Sequence, residues 1–324
     1  MIQMTRELLL LRHGKSDWDT GTDDFHRPLK NRGKRDAQRM GIWLAQENLI
    51  PDRVISSTAE RAMATAQKCC KAMGVYAKQI QKDKRIYLAS PDELLKVLAD
   101  CPSDSQRVML VGHNPGLEEL LHYLAEESIE VPEDGKLMPT ATLARLEMPD
   151  DWQDLKQGQA KLLQLIRAAS LPEKFPYPEA GSKELRDRPA YYYTQSSVIP
   201  YRINKGKVEI LIIRSSQNKH WVIPKGIADT GLSLQDSARK EAWEEAGVEG
   251  EVAEEALGTY RYKKWGATCT VTVYAMAVTN QLPDDEWEEQ HRGRQWVSAK
   301  KAATTVKQVE LVPMIMALEE QLTS

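Results

Sequence analysis

The stretch that most constrains this chain is "ELLLLRHG", residues 7–14, where four leucines are closed by a cation, an imidazole and a glycine. The run is too short to span a membrane, and no cleavable-signal pattern surrounds it. Four consecutive leucines read as a strand buried on both faces, which demands a sheet covered on both sides. The run stops abruptly at Arg12-His13-Gly14, and open α/β sheets hold their reactive groups at the C-terminal ends of strands. The leucines therefore predict a strand that mounts Arg12 and His13 at a chemically useful edge.

The rest of the first half supports such a sheet. Strand-like runs at Glu7–Arg12, Arg53–Ser56, Arg107–Val111 and Ala141–Met148 alternate with helical patterns in "NRGKRDAQRMGIWLAQENL", "TAERAMATAQKCCKAM" and "PGLEELLHYLAEE". That alternation predicts an α/β domain with a largely parallel sheet. The grammar breaks at "LPEKFPYPEAGSKELRDRP", residues 171–189, whose four prolines and eight charges read as a linker or a surface strap. Beyond it, short strands ("SVIPYRI", "KVEILIIR", "HWVIP") precede one strong helix near 233–247, a long strand "ATCTVTVYAMAVT" and a C-terminal helix, an α+β pattern. The expected division is 1–168, a linker over 169–190, and 191–324.

Composition narrows the setting. A net charge of −3 carries no nucleic-acid signature, and four cysteines without C-x-x-C spacing suit neither a disulfide framework nor a zinc site. The expectation is a cytoplasmic protein with no membrane and no nucleic-acid partner.

Three strand-to-helix junctions of the first half carry unusual residues: Arg12-His13, Arg61 in "SSTAERAMATA", and His113 in "VGHNPGLEEL". Two imidazoles and two guanidiniums converging on one crevice suit a phosphoryl group. Arginine binds its oxygens bidentately, and a neutral imidazole attacks phosphorus. Lys15, Ser16 and Arg27 fit either the same pocket or a solvated loop. His26, His122, His220 and His291 have no comparable context.

The words "LRHGKSDW", "RPLKNRGKRDAQRMGIWL", "SSTAERAMATA" and "VGHNPGLEEL" resemble, in that order, the histidine phosphatase superfamily and its phosphohistidine-phosphatase branch. The resemblance implies a phosphoglycerate mutase-like fold with His13 as phosphorylated nucleophile. Arg12, Arg61 and His113 would hold the phosphoryl oxygens, with no cofactor. Relatives that cleave phosphate monoesters supply an acid, sometimes directly after the second histidine; here that place is Asn114. Asp17 and Glu60 are near only in sequence. A departing imidazole needs less protonation than an alkoxide, so the gap favours a P–N or otherwise activated substrate, such as a histidine-phosphorylated protein.

In the second half, Glu241, Glu244 and Glu245 follow i, i+3, i+4 spacing and share one helix face. Crowded carboxylates repel unless a cation sits among them, and oxygen ligands point to Mg²⁺ or Mn²⁺. The stretch 226–248 resembles the Nudix box, G-x5-E-x7-R-E-U-x-E-E-x-G-U, at Gly226, Glu241, Glu244, Glu245, Gly247 and Val248. It departs at Leu232 and Lys240. The resemblance implies a Nudix fold in which Gly226, Glu241, Glu244 and Glu245 bind the metal and one carboxylate, taken as Glu245, serves catalysis. A further glutamate is expected among Glu286, Glu288 and Glu289.

Residues 201–225 hold six Lys or Arg against one acid, Glu209, which suggests a highly anionic ligand. Lys225, Arg202 and Arg214 are assigned to the phosphates. The flanking words resemble hydrolases of diphosphoinositol and dinucleoside polyphosphates, and those substrates and polyphosphate fit equally. The sequence thus reads as a bifunctional phosphohydrolase acting on a polyphosphorylated small molecule. The alternative is a phosphatase regulated by a Nudix module that only senses ligand, motivated by Leu232.

Overall fold

The computed structural model describes residues 5–125, 129, 132–176 and 184–323. Its contacts divide the chain into two compact units, Met1–Phe175 and Pro176–Ser324. In the first, β1 (Arg6–Arg12), β2 (Arg53–Ser57), β3 (Ile80–Asp83), β4 (Arg107–Gly112), β5 (Thr142–Met148) and β6 (Lys161–Arg167) form a six-stranded sheet in the order β3-β2-β4-β1-β5-β6. The first four in that order run parallel, and β5 and β6 are antiparallel.

The leucine run is buried on both faces because successive side chains of a strand point to opposite sides. Leu8 and Leu10 pack with residues of α3 (Pro91–Ala99) and α4 (Gly116–Ala125). Leu9 and Leu11 pack with α1 (Asn31–Gln46) and α2 (Glu60–Met73). All four leucines are fully buried. β1 is therefore the central wall between two apolar layers. Its C-terminal end is fixed at a definite depth.

The proline- and charge-rich stretch begins as a strap on this unit. Arg39 of α1 donates to the carbonyls of Leu171 and Pro172, and Arg35 to that of Glu173. Residues 177–183 of the proposed linker lie outside the described residues, as do 126–128 at the end of the third expected helix.

The second unit is a seven-stranded sheet of β7 (Thr194–Asn204), β8 (Lys207–Arg214), β9 (Trp221–Val222), β10 (Lys225–Ile227), β11 (Val248–Lys264), β12 (Ala267–Gln281) and β13 (Arg294–Ser298). Its main path is β9-β8-β7-β12-β11; β10 adds to β7 and β13 to β8. Only the β7–β12 pairing is parallel among the described strand pairs.

Helix α5 (Leu234–Ala246) packs Ala238, Ala242 and Ala246 with Val198 and Leu211 on one face of the sheet. α6 (Ala299–Thr305) and α7 (Leu311–Thr323) contribute to a second core with Ile210 and Ile212. Ser233 caps α5 by accepting from the Asp236 N–H, and Gly247 ends it in the left-handed conformation (φ 60°). A side chain there would also collide with Trp287, 2.7 Å from the position of a Cβ.

Candidate functional site

In the first unit, the three junctions singled out in the sequence meet. β1 delivers Arg12 and His13, the turn after β2 leads into Arg61 on α2, and β4 ends one residue before His113. All four line a single cavity of about 430 Å³, together with Lys15, Ser16, Asp24, Arg27, Tyr87 and Asn114.

The turn after β1 is held tightly. A Cβ on Gly14 would stand 2.7 Å from the Gly33 carbonyl oxygen, and one on Gly33 would stand 2.3 Å from that of Lys15. The Gly14 N–H donates to Thr65 Oγ1 at 2.9 Å, tying the turn to α2.

The tautomer of His13 follows from its partners. His13 Nδ1 lies 2.8 Å from the Gly14 carbonyl, which can only accept, so Nδ1 carries the proton and Nε2 keeps its lone pair. That lone pair faces Arg61 Nε at 3.2 Å. Burial, reinforced by Arg61 and Arg12, depresses His13 to about 4, so the ring is neutral at pH 7. The His113 ring is 5.1 Å away between centroids and is depressed to about 3 by burial, His13 and Arg61. Its Nε2 shares a 2.8 Å hydrogen bond with Ser57 Oγ.

Several polar atoms of this cavity are buried with no hydrogen-bond partner among the described residues: Arg12 Nε, Arg27 Nε and Nη1, and His113 Nδ1. Leaving such donors unmade costs about 1–3 kcal/mol each, a cost that an anion accepting from them removes.

Asp24, which sequence reasoning missed, is the carboxylate of this cavity. It bonds Arg61 Nη2 at 2.9 Å, Arg27 Nη2 at 2.9 Å and the Tyr87 hydroxyl at 2.8 Å. Against the upward push of burial, Tyr87 and the two guanidiniums hold it below the usual carboxylate range. Asp24 is thus a fixed anion that orients two arginines and is poorly suited to give up a proton. Asp17, by contrast, pairs with Lys30, and neither it nor Glu60 is on the cavity wall.

The second unit holds the carboxylates. Glu241 lies against the Gly226 backbone so closely that a Cβ there would fall 1.8 Å from Glu241 Oε1. Burial, then Glu245 and Glu244, push Glu241 up to about 8. Glu245 is buried; its Oε2 accepts from the Lys225 N–H at 2.9 Å and its Oε1 faces Arg292 Nη2 at 2.8 Å. Glu244 Oε1 is 3.5 Å from Lys240 Nζ, which also bonds Asp229 at 2.6 Å.

A cavity of about 660 Å³ adjoins this helix, with Lys225, Glu245, Tyr262, Lys264, Arg292 and Lys307 on its wall. Lys225 Nζ donates to Gln195 Oε1 at 2.8 Å and contacts the Tyr262 hydroxyl at 3.1 Å, and burial lowers its pKa.

Two family models match the chain: the Histidine phosphatase superfamily (branch 1) over residues 8–87, and the NUDIX domain over residues 194–316. An uncharacterized protein of Mycobacterium tuberculosis is 30% identical over 158 residues, covering 47% of this chain and 96% of that protein. Nudix hydrolase 12, mitochondrial, of Arabidopsis thaliana is 31% identical over 147 residues, 38% of this chain and 71% of the relative. Among solved structures, a putative phosphohistidine phosphatase SixA from Nakamurella multipartitia is 28% identical with a TM-score of 0.44, covering 50% of this chain and 96% of its own.

The chain joins a histidine phosphatase domain to a Nudix domain. It is a hydrolase of phosphoryl groups and phosphoanhydrides. No helix among the described residues is long and apolar enough to cross a membrane.

Within the Nudix half, Arg202 and Arg214, expected from sequence at the phosphates, lie apart from the residues that line the cationic cavity. Arg202 is not on the wall of the cationic cavity; it pairs with Glu209 at 2.7 Å across β7–β8 and covers the Trp296 ring. Arg214 lies over the Trp221 ring at 4.1 Å, also off that wall. Each is engaged by a tryptophan ring, which a count of charges does not show.

The cations that sequence reasoning did not place are Lys264, Arg292 and Lys307. Of the three later glutamates, Glu289 is the one beside α5. Its N–H donates to the Glu244 carbonyl at 3.2 Å and its carboxylate pairs with Arg292. Leu232 is exposed on the turn before α5.

The donor chemistry fits a divalent ion at Gly226, Glu241 and Glu244, where neighbouring carboxylates crowd the buried Glu241. No group of three metal-ligating side chains is already gathered among the described residues. Glu245 is engaged by protein donors.

Proposed function

We propose that the phosphatase half removes phosphate from a phosphohistidine-type substrate through a covalent intermediate on His13. The observation that carries this reading is the set of unpartnered polar atoms around a neutral imidazole that keeps its lone pair on Nε2, beside Arg61 on the cavity wall. Nε2 attacks phosphorus, the P–N bond to the substrate breaks, and the leaving imidazole departs carrying its own proton. Water then attacks the phosphorylated His13, releasing phosphate and restoring the ring. Arg12, Arg27, Arg61 and His113 hold the oxygens throughout, and Asp24 keeps Arg27 and Arg61 aimed. With Asp24 held as an anion and Asn114 after the second histidine, an easily displaced nitrogen leaving group suits the site better than an alkoxide.

For the Nudix half the reading is Mg²⁺- or Mn²⁺-dependent hydrolysis of a phosphoanhydride in a polyphosphorylated small molecule. The Gly226 carbonyl, Glu241, Glu244 and Glu245 would hold the cation, which supplies charge neutralisation at the anhydride. Lys225, Lys264 and Lys307 give the substrate's phosphates a cationic wall. The four cysteines are free and buried, which accords with a cytoplasmic setting. The domain limits 1–168 and 191–324, joined by 169–190, belong to the same proposal.

The test is a phosphate-release screen of each half over phosphohistidine peptide, ADP-ribose, Ap4A and a diphosphoinositol polyphosphate, with and without Mg²⁺. Metal-independent release from the peptide by the first half, and metal-dependent release from the polyphosphates by the second, is the expected pattern. Release that follows any other division overturns it.

A further inference from the structure

One buried cation of the Nudix half has no part in that reading. Arg292 stands on the short turn Gln290–Arg292, is 9% exposed, and places Nη2 2.8 Å from Glu245 Oε1. The other oxygen of Glu245 is taken by the Lys225 N–H. A carboxylate assigned to a divalent ion is therefore already neutralised by the protein. Both sit on the wall of the cationic cavity beside Lys225.

A guanidinium and a divalent cation compete for the same oxygen, and the cation carries the larger charge. Displacement would not strand Arg292, because its Nε is also paired with Glu289 on the same turn. A buried ion pair kept only for stability is a poor choice, since an apolar pair of similar volume does as well or better. A guanidinium released at a cavity wall is, by contrast, a ready bidentate phosphate donor.

We propose that Arg292 is a phosphate-binding residue of the Nudix half, held on Glu245 until a divalent cation takes that carboxylate. This rests on reading Glu241, Glu244 and Glu245 as cation ligands. Arg292 then makes the order of events unequal: the cation must win Glu245 before the cavity gains its full positive charge. A polyphosphate arriving first meets a cavity short of one guanidinium.

The experiment is Mn²⁺ binding to the full-length protein without substrate, read as free Mn²⁺ by electron paramagnetic resonance. Arg292→Gln removes the competitor and is expected to tighten Mn²⁺ about tenfold, in keeping with one charged hydrogen bond. Arg292→Lys, which holds a carboxylate less well, should tighten it by less. Lys307→Gln, a cation of the same wall, should shift it less than Arg292→Gln does. Inorganic tripolyphosphate, added as its Mn²⁺ complex to Mn²⁺-saturated protein, should bind more weakly to both Arg292 variants.

Weaker Mn²⁺ binding in Arg292→Gln, or tripolyphosphate affinity equal to wild type, overturns the proposal, because Arg292 would then merely position Glu245 or stabilise the fold. If Arg292→Gln does not fold, the sign of the shift in Arg292→Lys decides alone. Wild-type protein that binds no Mn²⁺ would sink the metal reading and this proposal together, an outcome distinct from a shift of the wrong sign.

Discussion

The two halves of this chain meet the same chemical group with opposite charges. The phosphatase cavity is lined with guanidiniums and imidazoles, and its one central carboxylate, Asp24, is spent on orienting two of the arginines. The Nudix helix carries three carboxylates, of which Glu245 shares a cavity wall with Lys225 and Arg292. On the proposed reading, phosphate enters the first directly and a cation brings it to the second. The same contrast appears in protonation: burial keeps His13 and His113 neutral, and burial with like charges favours the protonated form of Glu241. One site is pre-neutral and waits for an anion. The other gathers three carboxylates on one helix, a donor set that suits a metal.

The largest effects should separate the halves completely. His13→Ala is expected to lower phosphatase turnover at least about a thousandfold, as loss of a nucleophile does, while metal-dependent hydrolysis stays intact. Rapid quenching of wild type with labelled substrate should trap an acid-labile phosphate on His13; an acid-stable, base-labile adduct on another residue would refute the assignment. EDTA should take the Nudix activity to background and spare the phosphatase. Equal inhibition of both activities by the chelator would break the comparison outright.

A smaller effect tests the cavity wall. Lys225→Ala should cost about tenfold to hundredfold in kcat/KM for Ap4A or a diphosphoinositol polyphosphate, the range of one charged contact, and less for ADP-ribose. Glu245→Gln should lower turnover of all three alike. Steady-state kinetics on the three substrates decides, and an equal loss across them in Lys225→Ala would show that the wall does not read phosphate number.

These sites were unequally legible in the sequence. Arg12, His13, Arg61 and His113 stood out because each sits at or near a strand-to-helix junction, and the structure brings all four to one cavity. Asp24 was hidden: its loop has no periodicity, and only three-dimensional contacts with Arg27, Arg61 and Tyr87 give it a role. Arg202 and Arg214 lie over the Trp296 and Trp221 rings, partners that charge counting does not register.

The elements tell the same story. β1 announced itself by its leucines, but β3 ("IQKD") and β6 ("KLLQLIR") are half-exposed edge strands with polar residues inside them. β11 was concealed by the acidic run after Gly247 and by irregular pairing between Val252, Ala256 and Gly258, which breaks the alternation a strand is read by. Helix α3 did carry a readable signal, Ser90-Pro91-Asp92-Glu93, a capping box with proline at its first turn.

The smallest predicted effect is a divergence in pH response. His13, the proposed nucleophile, is pushed down to about 4, so raising the pH from 7 to 8 leaves it neutral. Lowering the pH should leave phosphatase kcat/KM level until about 5, whereas an ordinary imidazole would begin to lose activity near 6.5. Glu241 moves the other way. Its carboxyl, pushed up to about 8, must lose a proton to hold a cation, so Mn²⁺ affinity in the absence of substrate should climb with pH and level off above 8. Between pH 7 and 8 the ionised fraction rises about fivefold, and the affinity should follow it. Mn²⁺ titrations and phosphatase kinetics over the same pH series measure both. A flat Mn²⁺ affinity would mean that Glu241 is already ionised at neutral pH. A phosphatase limb near 6.5 would mean that His13 is far more solvated than its place at the end of β1 implies.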